Sequence, residues 1–222
     1  YYQNSISRSL SRFLKDEEVE TGIYEILKDI LAFYRAGRAY IFETDEENHF
    51  YNCTYEVVAE GVKAEINKLQ EIPVDFMPWW TSQILGKKPI LFETLKPMPG
   101  MGQGEYEVLS RQGIKALMAT PLVVNDHVYG FMGVDLVDGS ASWSDEDYRW
   151  LSSLANVISI CLELRRAKEK VIFEQAALAR SERLFKNIFA NIPAGVEIYD
   201  KEGNLVDLNE RDMDILGISD KS

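Results

Sequence analysis

Apolar positions along this chain repeat with two different periods, and the change between them marks the elements. Ile6, Leu10, Phe13 and Leu14 are spaced three or four apart in residues 5–14, which is one face of an amphipathic helix. The acidic run Asp16-Glu17-Glu18 breaks it. Ile23, Ile26, Leu27, Ile30, Leu31 and Tyr34 then form a second helical stripe over residues 19–35. Gly37 stands where a left-handed residue closing that helix is wanted. Residues 38–43 and 50–59 read as two strands about a turn at 45–48, and residues 61–69 as a short helix or polar connection. The segment FMPWWTSQIL, residues 76–85, predicts a helix with Pro78 in its first turn, where a missing N–H costs nothing. A short strand at 90–92, a loop rich in Pro and Gly at 94–103 and a short helix at 105–112 follow.

The strongest signal is the stretch from Gln112 to Val137. Residues 114–124 and 128–136 are two apolar, β-branched runs separated by Asn125-Asp126, a pair that tolerates left-handed backbone. Gly130 and Gly133 interrupt the second run and predict a bulge or a close backbone approach. Ser144 and Asp147 have the spacing of a capping box at the start of a long helix. Val157, Leu164, Val171, Leu178 and Phe185 recur every seven residues along it. Ile160, Ala167, Glu174, Ser181 and Ile188 hold the second seam position, which loses its apolar character after Ala167. The pattern is a short, imperfect coiled coil. Beyond it, residues 195–199 and 205–208 read as strands joined by a turn at 200–204.

Several of these residues carry a family resemblance. A strand ending Thr120-Pro121-Leu122, a polar turn and a Tyr129-Gly130-Phe131-Met132-Gly133-Val134-Asp135 strand resemble the C-terminal strand pair of a GAF domain. Trp143-Ser144-Asp145-Glu146-Asp147 and the helix opening Tyr148-Arg149-Trp150-Leu151 continue the likeness, which covers roughly residues 20–166. It implies an α+β fold, a central antiparallel sheet sandwiched by helices. The final segment, with its leading helix, Ile192-Pro193 break, hairpin and Asn209 before a further helix, resembles the start of a PAS domain and holds about a third of one. The expected organisation is an N-terminal helix or linker (1–18), a GAF domain (19–166), a signalling helix (167–184) and a truncated PAS start (185–222). Such a fragment is expected to be unstable alone, and either poorly ordered or paired with another chain through its open strand edge.

Composition narrows the functions. The 222 residues are 46% hydrophobic, enough for a proper core, and the formal net charge of -12 opposes nucleic acid and anionic membranes. No apolar run approaches the roughly 20 residues that span a bilayer. Two cysteines make neither a disulfide framework nor a metal site. A reducing cytoplasm is the expected compartment, with Tyr1 reading as a cut edge, which is compatible with a longer membrane-anchored protein.

Candidate chemistry is sparse. His49 and His127 sit at turns and lack the context of a kinase phosphoacceptor. Gly100-Met101-Gly102-Gln103-Gly104 is a weak phosphate-loop match, because Glu105 and Glu107 would repel an anion; it reads as a flexible loop, or, as the GAF resemblance implies, a lid over a pocket. Trp79-Trp80, with Phe76 and Met77, is the most suggestive cluster, since neighbours on a helix point about 100° apart. The cluster is read either as core packing or as a ligand pocket; in the pocket reading Tyr55, Phe92, Met118 and Thr120 join Phe76, Trp79 and Trp80 around a cavity between helix and sheet. Cys53 lies on a strand without the context of a bilin-tethering cysteine; redox sensing is the alternative for it. Cys161 reads as a small buried residue. The NKFDE signature of cyclic-nucleotide GAF domains is absent.

The resulting expectation is a sensory input module of a signal-transduction protein, a sensor histidine kinase or nucleotide cyclase whose catalytic domain lies outside this chain. Its partners are an unidentified small molecule and a second copy, joined through the N- and C-terminal helices, with Val157, Leu164, Val171 and Leu178 along the dimer seam. No metal, nucleic acid or direct membrane contact is expected, and no cofactor is identified. The alternatives are a ligand-free dimerisation scaffold and a Cys53-dependent redox enzyme.

Overall fold

The computed structural model describes residues 19–45, 47, 49–97 and 100–218. The helix expected over residues 5–14 lies outside them. Helix α1 (Val19–Tyr34) leads into β1 (Arg38–Thr44) and β2 (Phe50–Val58), then a 3-10 turn at Ile66–Lys68 and the two-residue β3 (Ile72–Pro73). Next come α2 (Pro78–Leu85), β4 (Ile90–Phe92), α3 (Gln103–Arg111), β5 (Ala116–Val124) and β6 (His127–Leu136). Helix α4 (Asp145–Asn191), β7 (Glu197–Tyr199), β8 (Leu205–Leu208) and α5 (Glu210–Leu216) complete the order. No helix among the described residues is long and apolar enough to cross a membrane.

The main sheet has six strands in the order β3-β2-β1-β6-β5-β4, every neighbouring pair antiparallel. The β5–β6 hairpin expected from sequence forms with Asn125 and Asp126 both at positive φ (48° and 72°), the backbone of a primed turn that matches strand twist. Gly130 is needed at φ 141°, because a Cβ there would meet the Phe42 carbonyl oxygen at 1.9 Å.

Each face of the sheet has its own core. On one side Ile23, Leu27 and Ile30 of α1 and Leu151, Leu154, Ile158 and Leu162 of α4 pack on Ala39, Ile41, Met118, Met132 and Val134. On the other, Trp80, Ile84 and Leu109 pack on Tyr40, Phe42, Tyr51, Cys53 and Phe131. Strand β1 alternates cleanly, sending Ala39 and Ile41 to the first side and Tyr40 and Phe42 to the second. Strand β2 does not. Ile41 pairs with Tyr55 and Phe42 with Cys53, so Thr54 is an extra residue, a bulge. Tyr51 and Cys53 therefore face the α2 side while Tyr55 and Val57 face α1 and α4.

Helix α1 closes differently from expectation. Ala36 N–H bonds to Leu31 C=O at 3.0 Å and Arg35 N–H to Ala32 C=O at 3.3 Å, a Schellman closure with Arg35 left-handed at φ 50°. Gly37 serves packing instead: a Cβ there would lie 3.0 Å from the Val137 side chain.

Ser144 and Asp147 form the expected capping box. The Ser144 N–H donates to the Asp147 carboxylate at 2.9 Å, and the Asp147 N–H to Ser144 Oγ at 3.1 Å. Helix α4 then runs for 47 residues without interruption. The chain divides at Arg165/Arg166 into two compact units. In the first, Arg165 donates to Tyr55 Oη at 2.7 Å and to Glu43 at 2.6 Å, tying the helix to the sheet. In the second, helix residues 167–188 are exposed. That unit also holds the β7–β8 hairpin, where Asn209 Oδ1 accepts from Val196 N–H and Asp212 N–H and its amide donates to Phe189 and Ala194 carbonyls.

Candidate functional site

Alternation along β1 places Arg38, Tyr40 and Phe42 on the α2 side of the sheet, beside Tyr51, Cys53, Phe131 and Asp135. Over them lie Phe76, Met77 and Trp80 at the start of α2, and Leu109 and Gln112 at the end of α3. Together these residues line a partly open cavity of about 200 Å³. Most of its lining is apolar or aromatic. Phe131 stacks on Phe42 at 4.7 Å between ring centroids and meets Trp80 edge-on at 5.3 Å.

One end is charged. Arg38 Nε donates to both Asp135 oxygens, at 3.1 and 3.0 Å, and Nη2 donates to the Gln112 carbonyl at 2.8 Å. Arg38 is 3% exposed and Asp135 1%. Burial pushes the Asp135 carboxyl up to about 6, against the opposing pull of Arg38. Burial, reinforced by Asp135, holds the Tyr40 phenol well above its ordinary value. The Cys53 thiol is pushed up to about 12, chiefly by burial, and stays protonated at neutral pH. Glu56, also in the lining, accepts from the N–H groups of Glu65 and Ile66, both at 2.9 Å, and so fixes the 3-10 turn that covers the cavity.

The residues expected around a ligand divide between the two faces. Phe76 and Trp80 line the cavity. Trp79 and Phe92 lie on the same side of the sheet but outside the lining, packed against each other at 6.0 Å. Tyr55 and Met118 belong to the opposite core, Tyr55 because the Thr54 bulge turns it there. Thr120 is buried, in the alternation of β5 that Met118 and Leu122 share. Gly100 sits on Trp79, where a Cβ would lie 3.2 Å from Cδ1, and none of residues 100–104 lines the cavity. Arg38, Tyr40 and Asp135 were not foreseen as site residues. Their signal was present: one cation and one anion, each inside an otherwise apolar strand, ask for one another.

The GAF domain family model matches residues 18–162. The methanogenesis regulatory histidine kinase FilI of Methanothrix harundinacea (strain 6Ac) is 26% identical over 149 residues, which cover 65% of this chain but only 16% of that protein. Among solved structures, the phycocyanobilin-bound GAF domain of a cyanobacterial phytochrome matches with a TM-score of 0.63 at 13% identity, over 76% of this chain and 97% of that one. The blue-light-absorbing form of the Thermosynechococcus elongatus PixJ GAF domain matches with a TM-score of 0.56 at 17% identity, over 68% and 88%. Residues 18–162, the greater part of the sequence, make this chain a member of the GAF domain family.

Proposed function

We propose that the chain is the sensory input segment of a multidomain signal-transduction protein, a histidine kinase in the reading best supported by its relative. The observation that carries this is the roofed cavity of about 200 Å³ whose aromatic wall ends on a buried Arg38–Asp135 pair. A small molecule held there favours one packing of the sheet and its helices over another, and α4 carries that preference towards residues 167–222. Equal affinity for both packings would transmit nothing. The GAF domain is followed by a signalling helix over 167–184 and a PAS start over 185–222, and two copies join along Val157, Leu164, Val171 and Leu178. The last three are 63%, 51% and 62% exposed in one chain, which suits a face covered by a second copy.

Thermal-shift and native mass spectrometry screens against metabolites test the reading, with Val108→Trp as a cavity-filled control. A compound that stabilises the native chain but not the filled variant supports sensing. A filled variant that gains stability, with no compound binding the native chain, favours the ligand-free scaffold. The Cys53 redox reading gains nothing from the site: a thiol 2% exposed and protonated at neutral pH is a poor nucleophile. For the same reason the bilins of the solved neighbours are not carried over to Cys53.

A further inference from the structure

We infer that the cavity recognises a small aromatic carboxylic acid, its ring among Phe42, Trp80 and Phe131 and its carboxylate on the guanidinium edge of Arg38. The inference rests on the sensing reading and specifies its ligand. It starts from hydrogen-bonding groups that the fold leaves over. Among the described residues, Arg38 Nη1 has no hydrogen-bond partner, although Nε and Nη2 are both engaged. The Tyr51 hydroxyl and the Trp80 indole N–H, each in a residue only 3% exposed, are buried and have none. All three residues line the same cavity. Buried donors left unpaired are costly, so the complementary ligand brings acceptors.

The acceptors already present are occupied. Asp135 serves Arg38, and Glu56 serves the backbone of Glu65 and Ile66. A planar carboxylate is the acceptor that an arginine fork meets with two parallel bonds. The remaining wall is apolar and aromatic, which suits a single ring and leaves the hydroxyls of a sugar without partners. A phosphate would bring up to two negative charges against Asp135 and Glu56. The ionisable groups facing Asp135 are Arg38, Tyr40 and Glu56; Lys68, also in the lining, is held by Glu65 at 2.8 Å. Arg38 is already balanced by Asp135. A monoanion therefore enters with one proton from solvent, which Asp135 takes, and the buried charge stays balanced.

Titration calorimetry on the 222-residue chain, in two buffers of different ionisation enthalpy, tests this with benzoate, benzamide and aniline. Benzoate binds with uptake of one proton, benzamide binds without it, and aniline, which lacks the acceptor, binds weakest. The double substitution Arg38→Gln with Asp135→Asn keeps a neutral hydrogen-bonded pair; it lowers benzoate affinity about tenfold or more and benzamide affinity little. Tyr51→Phe, which leaves the charged pair intact, gives a several-fold loss for benzoate and serves if the double variant does not fold. Benzoate binding unchanged in these variants overturns the inference. So does another chemical class occupying the native cavity and excluded by Val108→Trp, although sensing then stands. No ligand of any class, with a stabilised Val108→Trp, removes sensing itself.

Discussion

The Glu105 carboxylate accepts a hydrogen bond from the backbone N–H of Trp80 at 3.0 Å, across 25 residues of chain. Its other oxygen accepts from Gly102 N–H at 2.7 Å. One buried anion, 2% exposed, thus closes the first turn of α2 and the N-cap of α3. Both helix starts carry partial positive charge and N–H groups without intrahelical partners. Glycine at the N-cap of α3 has no side chain to help, so Glu105 acts alone for two helices. These two helices form the roof of the cavity. From sequence, Glu105 reads as a residue that drives anions from the glycine loop; in the fold it is itself the anion at that place.

Glu105→Ala leaves the buried Trp80 N–H without a partner and uncaps the exposed Gly102 N–H. We expect it to lower stability by about 2–4 kcal/mol, with Glu105→Gln losing less because it still accepts one bond. Urea denaturation of both variants measures this, and a loss under about 0.5 kcal/mol for the alanine contradicts it.

Asp135 predicts a pH dependence whose sign follows from burial. Its folded-state value is raised from the usual carboxylate range to about 6. The group therefore favours the fold most below its unfolded value near 4, and that contribution is lost as pH rises through 6. The stability of the native chain relative to Asp135→Asn should fall between pH 4 and pH 7, by up to about 3 kcal/mol. Chemical denaturation of the pair across that range measures it; a constant difference sinks the assignment.

Gly130 and Gly139 both have positive φ but differ in surroundings. A Cβ at Gly130 meets the Phe42 carbonyl, whereas at Gly139 nothing lies within 4 Å. Gly139→Ala should cost about 1–2 kcal/mol from backbone strain alone. Gly130→Ala should prevent β1 and β6 from pairing, and the chain should fail to give a cooperative melt.

Leu164→Asp with Val171→Asp should abolish the proposed dimer. Both residues are exposed in one chain, so the melting temperature of the domain extrapolated to low concentration should stay within a few degrees. Light scattering that shows an unchanged dimer would remove the seam.

Much of the fold was legible because its signals are local. The β5–β6 hairpin, the Pro78 helix start and the Ser144–Asp147 box each rest on a few adjacent residues, and each forms where the pattern puts it. The helix-closing residue was misplaced by two positions: Arg35 takes the left-handed conformation, and Gly37 answers a contact with Val137 that only tertiary structure creates. The cavity was legible in type and only partly in membership. Phe76 and Trp80 lie on it, but face assignment on a strand depends on strict alternation, and Thr54 breaks that alternation between Cys53 and Tyr55. The charged end was overlooked because Arg38 and Asp135 are 97 residues apart and pair only across β1 and β6.

The added residue in β2 has a consequence for what the strand tolerates. Substituting Thr54 changes one side chain, whereas deleting it joins Cys53 directly to Tyr55 and leaves an unbroken ladder, Cys53 against Phe42 and Tyr55 against Ile41. Every flanking residue would keep its face, with Tyr51 and Cys53 still on the cavity and Tyr55 still beside Arg165. A one-residue gap there would remove the bulge and its local twist while leaving both cores their residues.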